Sequence, residues 1–114
     1  MELFAFDGES FRVGIASERW RIGMLRWGPR FATLKEAERH LTSDEAFVLL
    51  QGGATLYEIQ EDGEMQEMPM EPGTVYNIKA GTWHHIVVRR DALVLVVENR
   101  DVSMENTQRK PLEV

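Results

Sequence analysis

Glu38-Arg-His-Leu-Thr-Ser-Asp-Glu-Ala-Phe-Val-Leu-Leu-Gln-Gly52 is the stretch on which the fold turns, because ionisable residues run there straight into an apolar run. A second stretch, Gly81-Thr-Trp-His-His-Ile-Val-Val88, echoes it. Together they hold all three histidines of the chain, and they read as two walls of one pocket.

Residues 33–41 admit two readings. Thr33 with Glu36 forms a capping-box pattern, and Leu34, Ala37 and Leu41 have helical spacing. A helix would send Glu38 and His40 about 200° apart and break any shared site. A strand would put both on one face, since side chains two apart in a strand point the same way. With 41–44 as a turn, Glu45 then opens the return strand beside them, and three potential ligands converge.

Outward from this stretch the pattern is β. Glu2 to Phe6 reads as a short edge strand, and Phe11 to Ala16 as a second. Trp20 to Trp27 alternates, with Trp20, Ile22, Met24 and Arg26 on one side. Ala46 to Leu50 is an apolar strand ended by Gly52-Gly53, and Ala54 to Gln60 follows it. Glu61-Asp-Gly63 is a hairpin signal before Glu64 to Met70. Val75 to Lys79, His84 to Arg89 and Ala92 to Glu98 complete the set. Short strands punctuated by Gly and Pro predict an all-β sandwich or barrel. From Asn99 the chain turns polar, so residues 1–100 read as one domain and 101–114 as a polar tail.

The bulk properties agree. A chain of 114 residues favours one core. Its net charge of −6 argues against nucleic acid or an anionic membrane as partner. The absence of cysteine excludes disulfides and thiolate chemistry. No run approaches the roughly 20 apolar residues of a membrane span. The N-terminus does not read as a signal peptide, so the expected location is cytoplasmic.

In its motifs the chain resembles the cupin superfamily. His40 stands as the second histidine of the first cupin motif, Glu45 as its glutamate and Gly52 as its glycine. Gly73, Gly81 and His84 match the second motif in register. The resemblance covers roughly residues 20–98. It departs where Glu38 replaces the family's first histidine, Ala32 its leading glycine, Lys79 its proline and Val88 its asparagine. The resemblance implies a jelly-roll barrel, the double-stranded β-helix, with a pocket at its mouth. It also implies a divalent metal (Fe, Mn, Ni or Zn) on His40, His84 and Glu45, with Glu38 as a fourth ligand. Phe47 and Tyr76 are assigned to the ligand pocket. By analogy with cupins of this size, a homodimer is expected, with the N-terminal strand as an edge to pair.

Blander readings stand beside these. His40 could be a turn histidine, and Glu45 could pair with Arg39. By motif register His84 points in and His85 out, towards the surface or an interface. Met65, Met68 and Met70 suit hairpin packing or a dimer surface, and Glu58 to Glu67 a solvated hairpin. Ser10, Ser17, Ser43 and Ser103 lie in no nucleophile turn, and no glycine loop cradles a phosphate. Three functions remain: a small cupin binding a small polar molecule through a metal, a metal-free ligand-binding or regulatory module, and an enzyme acting on a ureido acid. The last rests on Gly81-Thr-Trp-His-His85, which is similar to a segment of ureidoglycolate lyases.

Overall fold

The structure, a computed structural model, describes residues 1–113. Among the described residues, ten strands form two five-stranded antiparallel sheets. The first sheet holds β1 (Ser10–Ala16), β2 (Trp20–Arg26), β4 (Glu45–Gln51), β7 (Val75–Ile78) and β9 (Leu93–Asn99), in the order β1-β2-β9-β4-β7. The second holds β3 (Glu36–His40), β5 (Ala54–Ile59), β6 (Met65–Pro69), β8 (Trp83–Val88) and β10 (Thr107–Pro111), in the order β10-β3-β8-β5-β6. From β2 to β5 and from β6 to β10 the chain crosses repeatedly between the sheets, as a jelly roll does.

Period-two alternation supplies the core. Leu25, Phe47, Leu49, Val94 and Val96 face inward from the first sheet, and Leu56, Ile86 and Val88 from the second. Phe31, on the 3-10 turn Pro29–Phe31, joins the same cluster. The hairpin at Asp62-Gly63 closes β5 onto β6, with Gly63 at φ +88°. At the end of β4, Gly52 takes φ +71°, and an added Cβ would lie 2.6 Å from the Asp91 carbonyl oxygen. That position therefore takes glycine for two reasons.

One open choice is decided and two expectations are corrected. Residues 33–41 are not a helix: Glu36–His40 is a strand, paired with β10 on one edge and β8 on the other, with Ala37 fully buried. The β10 ladder pairs all five residues of β3 and Glu38 also pairs with His84 of β8, which outweighs a local capping pattern. Residues 2–6 form no strand. Phe6 is buried instead, its carbonyl accepting from Arg26 Nε at 2.6 Å. Within the supposed polar tail, Thr107–Pro111 forms β10. Its side chains are polar, so no hydrophobic alternation announced it.

Candidate metal centre

Strand register assembles the site. Glu38 of β3 lies directly opposite His84 of β8, and His40 follows two residues later on the same face. Glu45, the first residue of β4, closes the group from the other sheet. One ligand atom from each of these four side chains lies within 4.8 Å of the others. His84 Nε2 is 2.8 Å from Glu45 Oε1, and His40 Nε2 is 3.2 Å from the same oxygen. Glu38 Oε1 stands 3.8 Å from His40 Nε2.

Both imidazoles are held from behind. Thr107 Oγ1 lies 2.8 Å from His40 Nδ1, and the Thr82 carbonyl accepts from His84 Nδ1 at 2.9 Å. With Nδ1 engaged, each ring directs Nε2 into the cluster, the arrangement that metal-ligating histidines use. His40 Nε2 is buried and, 3.2 Å from Glu45 Oε1, has no well-aligned hydrogen-bond partner among the described residues. Leaving such an atom unpaired costs free energy, and a cation at this point would satisfy it. Two imidazoles and two carboxylates suit a first-row divalent ion, so the residues fit the group.

Glu38 is clamped. Its Oε2 accepts from Arg30 at 2.8 Å and from Arg109 Nε at 3.2 Å, leaving Oε1 towards His40. Glu98, beside Glu45 in register, pairs with Arg21 at 2.5 Å. Burial, then the neighbouring Glu45 carboxylate, push Glu98 up to about 7 despite the guanidinium. Burial works against ionised Glu45, but its two histidines outweigh that and hold it well below the usual carboxylate range. Burial likewise opposes charge on His40 and His84, and Glu45 more than offsets it, so both lie above the ordinary imidazole value.

The cluster opens into a cavity of about 210 Å³ between the sheets. Phe47 lines it. Tyr76 does not: it lines a separate hollow with Leu56 and Met68, and its hydroxyl accepts from the Glu71 amide at 2.8 Å. His85 is no surface residue. It is buried and stacked on Phe31 at 5.8 Å, and burial lowers its pKa. Of the methionines, Met65 and Met68 are exposed whereas Met70 belongs to the core.

Sequence reasoning missed Arg21, Arg30, Glu98, Thr107 and Arg109, which also line the cavity. A signal existed for Glu98. It continues the Val94, Val96 parity of a strongly apolar strand, so alternation alone turned it inward. Nothing comparable marked Thr107 or Arg109.

An all-β jelly roll with a His and carboxylate cluster lining the cavity between its sheets has the fold seen in cupins. Solved structures carry the likeness. Bacillus subtilis oxalate decarboxylase (a mutant form) superposes with a TM-score of 0.63 at 20% identity, over 81% of this chain and 24% of that one. A cupin-2 domain protein of Shewanella frigidimarina gives 0.62 at 18%, over 83% and 85%. Streptomyces Pac13, a nucleoside dehydratase, seen as a Tyr-to-Phe variant with uridine, gives 0.67 at 10%, over 96% and 84%. The chain thus spans about a quarter of oxalate decarboxylase. No family model matches the sequence, and no curated protein does.

Proposed function

We propose that this chain is a small cupin that binds a divalent metal on Glu38, His40, Glu45 and His84, and takes a small polar molecule into the cavity beside it. One observation carries the reading: four donors converge within 4.8 Å, three of them buried, with His40 Nε2 lacking a well-aligned hydrogen-bond partner among the described residues. A bound ion would polarise an oxygen of the ligand. The Thr82 carbonyl, which can only accept, keeps His84 in the ligating tautomer, and the Thr107 hydroxyl holds the His40 ring in place. Arg21, Arg30 and Arg109 offer cationic donors to oxygen atoms of the guest, and Glu98 can accept or return a proton beside it.

Elemental analysis of protein purified without added metal tests this, with the double variant His40→Ala, His84→Ala in parallel. Near-stoichiometric metal in the first and none in the second is expected. No metal in either, and no uptake of Fe, Mn, Ni or Zn on titration, overturns the reading.

A metal-free binding module is the second reading. It is favoured by the hydrogen bond that Glu45 already receives from His84. It predicts that chelation leaves ligand affinity unchanged. The ureido-acid reading has less support, since Trp83 of that run packs under Arg39 and Lys110, away from the cluster. Release of glyoxylate from ureidoglycolate by the pure protein is its test.

A further inference from the structure

A second hollow lies where the ends of β3 and β10 meet the 3-10 turn. It is a cleft of about 540 Å³, bordered by four cations, Arg30, Lys35, Arg109 and Lys110, and, among the described residues, by one acid, Glu36. The chain as a whole has the opposite balance, with 19 acidic residues against 13 basic and a net charge of −6. Positive charge gathered in one cleft of an acidic chain raises the local concentration of anions there. Arg30 and Arg109 also line the cavity that holds the donor cluster, so the two spaces share a wall.

Strand register builds this wall. Arg109 lies opposite Glu38, and Pro111 opposite Glu36, so the four share one face of the β3–β10 pair. The Leu112 amide donates to the Lys35 carbonyl at 2.8 Å and holds Lys35 at the end of the ladder. Pro29 and Pro111 stiffen two stretches of the lining, since the pyrrolidine ring fixes φ. Arg30 is anchored to Glu36 and to Glu38, both at 2.8 Å, with its guanidinium 5.1 Å over the Phe31 ring. Arg109 is held to Glu38 at 3.2 Å. Two guanidiniums carry more N–H donors than these two carboxylates have lone pairs to accept them, so donors remain for a guest. Lys110 turns its ammonium to the Trp83 ring, 4.4 Å away. Lys35 is exposed and forms no ion pair among the described residues, so its charge is uncompensated.

We propose that this cleft is an oxyanion site, in which Arg30, Arg109 and Lys35 hold a phosphate or carboxylate group of a small molecule. Planar guanidinium forks match the paired oxygens of either group. The two arginine side chains are 33% and 40% exposed, open enough to be reached and sheltered enough that salt screens them less than a free surface charge. The link to the cavity rests on the function proposed above: a guest anchored here has its other end at the wall of the donor cluster. The oxyanion site itself requires no metal.

Amide chemical-shift titration tests the site, with inorganic phosphate and acetate as probes, in chelator-treated and in zinc-treated protein. Saturable shifts at Lys35, Glu36 and Arg109 are expected in the chelator-treated protein with at least one probe, and the probe that binds tells phosphate from carboxylate. Lys35→Glu should weaken that binding about tenfold or more, the effect of losing a charge-assisted bond. Lys35→Gln should weaken it less, and added salt should weaken it in wild type. Lys35 is exposed, so both variants should keep the wild-type spectrum elsewhere. No saturable shift at these residues with either probe overturns the proposal, as does equal affinity in wild type and Lys35→Glu. Shifts confined to His40 and His84, and seen only after zinc is added, also overturn it, because they put the anion on the metal. Failure of the metal reading leaves the chelator-treated result standing.

Discussion

Thr107 Oγ1 stands 2.8 Å from Nδ1 of His40, reaching it from the directly opposed position of the neighbouring strand. The C-terminal strand is therefore part of the candidate metal centre. Two residues on, Arg109 pairs with Glu38 in the same register, so one strand face braces two of the four donors.

Loss of the Thr107 hydroxyl should free the His40 ring to rotate. Thr107→Val is expected to weaken metal binding by about 10- to 100-fold, the usual effect of removing such an outer partner. Thr107→Ser should restore most of it. Competition against a chromophoric chelator measures both, and equal affinity in all three proteins would remove Thr107 from the site.

Metal loading should stabilise the fold by linkage. At free metal about 100-fold above the dissociation constant the gain is about 2.7 kcal/mol. For a chain of this length that corresponds to a rise in Tm on the order of 10 °C. Differential scanning calorimetry with and without chelator reads it, and the His40→Ala, His84→Ala protein should show no rise.

Glu98 sets a pH dependence in the metal-free protein. Folded, it keeps its proton up to about 7, against an ordinary value of 4.5. Between these values the folded state binds the more protons, so stability falls as pH rises. The contribution of Glu98 is complete below 4.5 and lost above 7. Glu45 has the opposite sign: its depressed pKa stabilises above 4.5 and that contribution fades on further acidification. Glu98→Gln should therefore match wild type in Tm below pH 4.5 and exceed it above pH 7. A constant difference across the range would contradict the assignment.

Gly52→Ala should destabilise without touching the site. The residue sits at φ +71° with the Asp91 backbone 2.6 Å from where a Cβ would be. A cost of about 1–3 kcal/mol is expected from strain of this kind. Urea unfolding measures it, and metal content should be unchanged.

Much of this was local enough to read. Alternation over Ala54–Ile59 and Leu93–Asn99, and glycines at the turns, specify strands because each signal lies within a few residues. The spacing of His40 and Glu45 brings both to one end of the cavity once β3 and β4 are strands. Whether residues 33–41 were strand or helix was not local. That choice came from pairing with β8 and β10, which lie more than forty residues away in the chain.

The sequence by itself determined the β character and the inward parity of the core strands, because a two-residue period is a property of neighbours. Only the tertiary structure decided that Thr107 and Arg109 brace the donors, that Tyr76 leaves the cavity and that His85 is buried. Those placements depend on register between distant strands. A polar side chain carries no mark of the partner it will meet until the sheets close around it.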